Sequence, residues 1–193
     1  WLNGTVNPHF SFTSKGIMAS SSRAVASELD FQGRIYTLST ACTSSANAIA
    51  FAAALIESGR SECVLAGGGD ALCATTLSGF STLRLTGPQQ AKPFGIDRPG
   101  LTLGEGAAFL ILESKEKVIQ ENRPYYAELA GYAMGSDAFH MTAPSENGEG
   151  ALRVMKDALK KAGMTPDQID FINAHGTGTL LNDRTEAQAI AAL

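Results

Sequence analysis

Hydrophobic positions follow two periods along this chain, one typical of helices and one of strands. Apolar residues at helical spacing predict helices over residues 16–29, 43–59 and 152–163, the second of them apolar almost all round. Alternating or continuous apolar runs predict strands, which cover residues 34–40, 62–72, 107–113, 125–135 and 168–175. Because the strands alternate with helices, the pattern indicates an α/β layered fold.

Residues 62–72 contain a continuous apolar run that ends in three consecutive glycines. This is typical of a strand that is buried on both faces and leads into a loop at its carboxyl end, so a parallel sheet is expected. Residues 83–106 are rich in Gly and Pro without a helical period, which predicts a long surface loop.

Composition narrows the class of protein. The 193 residues are 44% hydrophobic and 18% charged with a formal charge of -4, which fits a globular protein with one sizeable core. The 15 basic residues are scattered, so nucleic acid is not an expected partner. The longest apolar runs fall short of the roughly 18 residues that span a bilayer, so no membrane segment is expected.

Cysteine usage favours a reducing compartment. Three cysteines without CxxC spacing suggest neither a disulfide framework nor a metal site, so we expect a cytoplasmic protein. The chain opens on Trp1 without the basic start and apolar middle of a signal peptide, and we expect it to be an internal piece of a longer protein.

Cys42 stands between a predicted strand and a predicted helix. Unpaired N–H groups and the helix dipole at a helix amino terminus favour a thiolate, which would make Cys42 a nucleophile. Free cysteines are also commonly buried and inert, so a packing role stays open. Cys63, within an apolar strand, and Cys73, after the glycine-rich run, are interpreted as packing residues.

His175 ends a predicted strand and opens the sequence HGTGT. The two glycines allow close approach of the backbone to a ligand, and Thr177 and Thr179 offer hydroxyl groups to it. A histidine held by backbone groups in a tight turn is the alternative. Since Cys42 also follows a strand, the ends of strands in one sheet can bring its thiol to the imidazole.

Three further residues have two interpretations each. His140 lies in a polar loop, where its position alone favours an exposed or turn-stabilising imidazole. Asp183 and Glu186, three residues apart, resemble a helix cap and its reciprocal partner, or else support His175 from behind.

Five motifs in order cover most of the chain and resemble one family. They are TACTSSANAI, VLAGGGDA, KPFGIDRPGLTLGEGAAFLILE, SDAFHMTAP and NAHGTGTLLNDRTEAQAI. The chain resembles the β-ketoacyl synthases, the condensing enzymes of fatty-acid and polyketide synthesis. This resemblance implies the thiolase-like fold, layered α-β-α-β-α, of which residues 1–193 would form the central portion of one ketosynthase domain without a separate second domain. Pro99 stands where the family more often has an acidic residue.

The resemblance implies an acyltransferase that performs a decarboxylative Claisen condensation. Cys42 would accept an acyl chain from an acyl carrier protein, and its backbone N–H would form half of an oxyanion hole. His175 would help to decarboxylate a malonyl thioester and would stabilise the enolate that attacks the acyl-cysteine.

The remaining site residues follow from the same resemblance. Thr177 and Thr179 would bind the pantetheine arm, and His140 would line the same tunnel. Asp183 and Glu186 would support the site. No cofactor or metal is implied, since the phosphopantetheine arm carries the substrates.

Partners follow too, because family members act with acyl carrier protein as homodimers or as heterodimers with a related subunit, with the strand before Cys42 at the interface. The second histidine, a lysine and a glycine-rich loop of the family do not occur in this chain. The alternative is therefore a non-catalytic scaffold or dimerisation subunit. A generic Cys-His hydrolase is less favoured because no residue can be assigned to orient the histidine.

Overall fold

The computed structural model describes residues 19–140 and 143–193, which contain six α-helices and two strands. In chain order the elements are α1 (Ala19–Glu28), α2 (Ser44–Glu57), β1 (Cys63–Asp70), α3 (Ala74–Thr82), β2 (Gly106–Glu113), α4 (Lys115–Gln120), α5 (Glu149–Ala162) and α6 (Leu180–Ala191). A single 3₁₀ turn, Pro166–Gln168, lies between α5 and α6.

The two strands pair in an antiparallel ladder. Cys63 lies opposite Glu113 at one end, and Asp70 lies opposite Gly106 at the other. The expected parallel sheet is therefore wrong for this pair, because α3 and the long loop of residues 83–105 return the chain in the opposite direction, and apolar patterning does not encode direction. Burial on both faces is also wrong for β1, in which only Ala66 is buried.

Helix α2 packs against this sheet through small side chains. Ala50, Ala52 and Ala53 are buried on it. A Cβ atom built on Gly68 of β1 would lie 2.7 Å from the Cβ of Ser45, so the first turn of α2 touches the strand where the strand has no side chain. This contact fixes where the amino end of α2 lies.

Three predicted strands are absent from the described part of the chain, at residues 34–40, 125–135 and 168–175. Ile35 and Tyr36 line a cavity of about 500 Å³ together with Val64 of β1, and the segment 34–40 forms no ladder with β1 or β2. Apolar alternation predicts an extended chain but not the presence of a neighbouring strand.

The predicted helices are confirmed where the structure describes them. The helix predicted over residues 16–29 is α1, and its residues 16–18 lie outside the described residues. Helix α5 ends at Gly163 with a left-handed φ of 67°, with Lys160 and Lys161 in its last turn. Helices α3 and α4 have no counterpart in the sequence prediction, whereas the absence of a helix between residues 83 and 105 was predicted.

Helix α6 begins earlier than the capping pattern predicted. Thr179 is its N-cap, so Asp183 lies inside the helix and the interpretation of Asp183 as the cap is wrong. Helices α5 and α6 pack together, and Gly148 before α5 allows the close approach, since a Cβ atom there would meet the carbonyl oxygen of Thr185. None of the helices in the described residues is long and apolar enough to cross a membrane.

Candidate active site

Cys42 is exposed in a tight turn directly before α2. The residue before it, Ala41, has a φ of 54°, a left-handed conformation that side chains other than glycine rarely adopt. The Ser44 hydroxyl accepts a hydrogen bond from the Thr40 N–H at 2.8 Å and donates one to the Ala41 carbonyl at 2.7 Å. The turn therefore presents Cys42 outward at a helix amino terminus, and the alternative of a buried packing residue is wrong.

Two further side chains brace the same turn. The Thr43 hydroxyl donates to the Thr40 carbonyl at 2.8 Å, and the Asn47 amide donates to the Thr40 hydroxyl at 2.9 Å. These bonds compensate for the strained backbone at Ala41, because each fixes a group on either side of it. The position of the Cys42 thiol is thus set by polar side chains of the motif TACTSSAN.

The loop that carries His175 is held by Glu186 of α6. One oxygen of the Glu186 carboxylate accepts from the His175 N–H at 2.6 Å, and the other accepts from the Gly176 N–H at 2.9 Å. Charge-assisted bonds to backbone N–H groups are among the stronger hydrogen bonds in proteins. The carboxylate therefore fixes the backbone at which the imidazole is attached.

Asp183 holds the second half of the HGTGT loop. Its side chain is buried, with an exposed fraction of 1%, and accepts from the Gly178 N–H at 3.1 Å and from the Phe94 N–H at 2.7 Å. The hydroxyl groups of Thr177 and Thr179 lie 2.9 Å apart in a mutual hydrogen bond. Asp183 thus joins the HGTGT loop to the loop of residues 92–101, which we call the cross-loop.

The cross-loop touches the HGTGT loop at a glycine. Gly178 has a φ of 78°, and a Cβ atom there would lie 2.8 Å from the carbonyl oxygen of Gly100. The Gly100 N–H donates to the Gly178 carbonyl at 3.2 Å. Any other residue at position 178 would strain the backbone and push the two loops apart.

Arg98 of the cross-loop is a residue that the sequence reasoning missed. Its guanidinium donates to the carbonyls of Thr179, Leu180 and Gly95 at 3.2, 3.0 and 2.8 Å, and lies 3.7 Å from the Asp183 carboxylate. The motif KPFGIDRPG contains Arg98, but Thr179 and Leu180, which accept its hydrogen bonds, lie some eighty residues further along the chain.

His140 does not belong to these two loops but lines an open cleft of about 1230 Å³. Thr43 and Asn47, from the first turns of α2, line the same cleft together with Val154 of α5. His140 therefore faces the same space as the residues directly after Cys42. Met141 and Thr142, which follow it in the motif, lie outside the described residues.

The structure thus groups the predicted site residues in two sets. One set surrounds the start of α6 and contains His175, Thr177, Thr179, Asp183 and Glu186. The other set is the turn of Cys42 with the cleft wall that contains His140. Among the described residues no hydrogen bond joins Cys42 to His175.

The other two cysteines are exposed as well, which corrects their interpretation as packing residues. Partial burial of the Cys63 thiol beside the apolar cavity raises its pKa, and the nearby Glu113 carboxylate adds to this. The pKa of Cys73 is lowered, chiefly because the Thr76 hydroxyl lies 3.2 Å from its sulfur. No group of three metal-ligating side chains occurs in residues 19–140 and 143–193.

Two family descriptions match the chain. Residues 3–118 match the β-ketoacyl synthase N-terminal domain, and residues 126–193 match the β-ketoacyl synthase C-terminal domain. The first match covers more than half of the chain. The chain belongs to the β-ketoacyl synthase family.

A curated relative and two solved structures illustrate the similarity. The 3-oxoacyl-[acyl-carrier-protein] synthase 2 of Rhizobium meliloti (strain 1021) is 42% identical over 170 residues, which cover 84% of this chain and 40% of that protein. The chain spans less than half the length of the curated relatives it matches.

One of the structures is described as AntDE:AntF, a type II PKS acyl-carrier protein in complex with its ketosynthase bound to the hexaketide. It has a TM-score of 0.84 at 33% identity over 92% of this chain and 45% of that chain. The ketosynthase ApeO in complex with its chain length factor ApeC, from Xenorhabdus doucetiae, has a TM-score of 0.83 at 39% identity over 91% of this chain and 42% of that chain. At these identities the fold is shared, so the predicted thiolase-like α/β class is confirmed.

Proposed function

We propose that this chain is part of an acyltransferase, a β-ketoacyl-[acyl carrier protein] synthase that extends carrier-bound acyl chains by decarboxylative condensation. The observation that carries the proposal is the exposed Cys42 in a strained, braced turn at the amino terminus of α2. Residues 1–193 form a partial ketosynthase domain, in which the first part supplies the thiol and the last part supplies the first histidine.

The first step is acyl transfer to Cys42. The thiolate attacks the carbonyl carbon of an acyl thioester, a new C–S bond forms, and the pantetheine thiolate leaves with the electron pair of the old bond. The Cys42 N–H stabilises the oxyanion of the tetrahedral intermediate. The helix amino terminus of α2 supports the anionic sulfur.

The second step is decarboxylation of a malonyl thioester beside His175. The bond to the carboxylate breaks, CO₂ leaves, and the electron pair remains as an enolate whose oxygen accepts a hydrogen bond from the imidazole. The enolate carbon attacks the acyl carbonyl on Cys42, a C–C bond forms, and the thiolate of Cys42 leaves. Glu186 fixes the loop backbone so that the imidazole does not have to reorganise.

Substrate binding uses the hydroxyl groups of Thr177 and Thr179, which hydrogen-bond the pantetheine arm of the carrier. His140 lines the tunnel that reaches Cys42. Its position in the same cleft as Thr43, the residue after Cys42, supports this role. Asp183 keeps the two threonines in position through the Gly178 N–H.

We further propose that the protein works in the cytoplasm with acyl carrier protein, as a homodimer or a heterodimer with a related subunit. It uses no cofactor or metal, because the carrier's phosphopantetheine arm holds both substrates. Nucleic acid and membrane are not among its proposed partners. The relatives named above with an acyl-carrier protein or a chain length factor support these partners.

The test is acylation of the protein expressed from its whole gene. Incubated with a radiolabelled acyl thioester of acyl carrier protein, the wild type becomes labelled, and Cys42→Ala abolishes the label. Cys73→Ala is the matched control because Cys73 is an exposed thiol at the amino end of another helix, and it keeps the label. A wild type that takes no label favours the non-catalytic scaffold, and label that survives Cys42→Ala contradicts the assignment.

A further inference from the structure

Arg98 is bound almost entirely to the region that carries the HGTGT loop. Its side chain is 17% exposed and its guanidinium reaches the backbone carbonyls of Thr179 and Leu180 as well as the buried Asp183 carboxylate. Its remaining bond goes to Gly95 of its own loop. Four interactions on one guanidinium indicate that its position is strongly determined.

The backbone of the cross-loop reinforces this attachment. The Phe94 N–H donates to Asp183 and the Gly100 N–H donates to the Gly178 carbonyl, so contacts lie on both sides of Arg98. Arg98 and these two backbone donors therefore hold the two loops together. The Arg98 charge also balances the Asp183 carboxylate, which is 1% exposed and otherwise has only N–H and amide or hydroxyl donors.

We propose that Arg98 is a positioning residue of the malonyl half-reaction, which it serves by holding Thr177 and Thr179 in place for the pantetheine arm. The proposal rests on the function proposed above. Arg98 bonds to the carbonyl of Thr179 itself, whereas none of its contacts is with the turn of Cys42. Its effect therefore falls on the malonyl step, which uses the pantetheine arm and His175, and not on the reaction of the Cys42 thiol with an acyl donor that has no such arm.

The fork geometry of arginine is needed for this role. A lysine at position 98 keeps a positive charge for Asp183, but one ammonium group cannot reach the carbonyls of Gly95, Thr179 and Leu180 together. Arg98→Lys therefore retains the charge and loses the geometry, and Arg98→Gln loses both.

The experiment uses the protein expressed from its whole gene and measures two rates on each variant. The first is acylation of Cys42 by a small acyl thioester that has no pantetheine arm, and the second is CO₂ release from malonyl-carrier protein, with its KM and kcat. We expect Arg98→Gln to raise the malonyl KM and lower kcat/KM by about tenfold or more, with acylation within about twofold of wild type. The malonyl KM and kcat/KM of Arg98→Lys should lie between those of Arg98→Gln and the wild type.

Arg123→Gln is the matched control, because Arg123 makes paired bonds to Glu113 at 2.6 and 2.7 Å and touches none of the candidate site residues. It should leave both rates unchanged. If Arg98→Gln does not fold, the same comparison of acylation with CO₂ release is made on Arg98→Lys. Equal losses of acylation and CO₂ release, or no loss of either, overturn the inference. A wild type without either activity instead overturns the proposed function, and the inference with it.

Discussion

At the scale of single residues, the two cysteines outside the candidate site have opposite environments. Partial burial, with the Glu113 carboxylate nearby, makes the thiolate of Cys63 less favourable and raises its pKa. The Thr76 hydroxyl stabilises the thiolate of Cys73 and lowers its pKa. Because the thiolate is the reacting species, the two residues differ in the pH at which they become reactive.

We predict that in the Cys42→Ala variant Cys73 is alkylated by iodoacetamide at lower pH than Cys63. A lowered pKa means that thiolate is already present at a pH where the Cys63 group, with its raised pKa, is still a thiol. Mass spectrometry of the alkylated peptides over the neutral to alkaline range gives both profiles. Thr76→Val should move the Cys73 profile to higher pH and leave Cys63 in place; coincident profiles would contradict the prediction.

At this scale the sequence names candidate site residues but not the groups that hold them in place. For Cys42 and His175 the residue types alone left a packing or turn-stabilising role open, and the resemblance of their motifs to one family favoured chemistry. For Asp183 the spacing to Glu186 predicted a helix cap, which is wrong, and it did not indicate that the Phe94 N–H donates to the carboxylate. Arg98 was missed for the same reason, since pairing between distant segments leaves no local pattern.

At the scale of elements, the contact between α2 and β1 determines where the turn of Cys42 lies. Gly68 of β1 faces Ser45 of α2, which lies three residues after Cys42. The helix can come this close to the strand because Gly68 has no side chain. The glycine run in VLAGGGDA lies within β1, and helix packing explains the glycine at position 68.

We predict that Gly68→Ala slows acylation of Cys42 and lowers the free energy of unfolding by about 1–3 kcal/mol. The added Cβ would lie 2.7 Å from the Ser45 Cβ, so α2 has to shift away and carries Cys42 with it. Thermal unfolding and the acylation rate are the two measurements.

Gly79→Ala is the matched control for this change. Gly79 lies inside α3, and a Cβ atom there meets nothing within 4 Å. Alanine should raise the free energy of unfolding by about 0.5–1 kcal/mol and leave acylation unchanged. If Gly68→Ala acylates at the wild-type rate, the contact does not set the position of the thiol.

Helices were predicted better than strands because a helix bonds within itself. The presence of α2 and α5 follows from local apolar periodicity and their ends follow from the closing glycines, although α5 begins at Glu149, three residues before the predicted start. A strand needs a partner, and the segment 34–40 pairs with neither of the two described strands. The direction of the β1–β2 pairing was likewise beyond a local pattern.

At the scale of the whole molecule, apolar surface is exposed on both faces of the sheet. Phe109 and Ile111 point to one face of β2 with exposed fractions of 44% and 68%, and Leu110 points to the other with 54%. Contiguous apolar surface of this kind is typical of protein that is covered by further structure or by a partner. The described residues therefore present interfaces as well as a site.

We predict that the protein expressed from its whole gene is a dimer, with itself or with a related subunit, whose interface includes residues 34–40. This extended segment exposes 48% of Ile35 and pairs with no strand in the described part of the chain, so its backbone can pair across an interface. Light scattering should give the mass of two subunits, and Ile35→Glu should shift it toward one because a charge is then buried at the interface. Ile96→Glu, at a fully exposed isoleucine of the cross-loop, should leave the mass at two. A single-subunit mass for the wild type would contradict the dimer, and equal effects of the two substitutions would remove residues 34–40 from its interface.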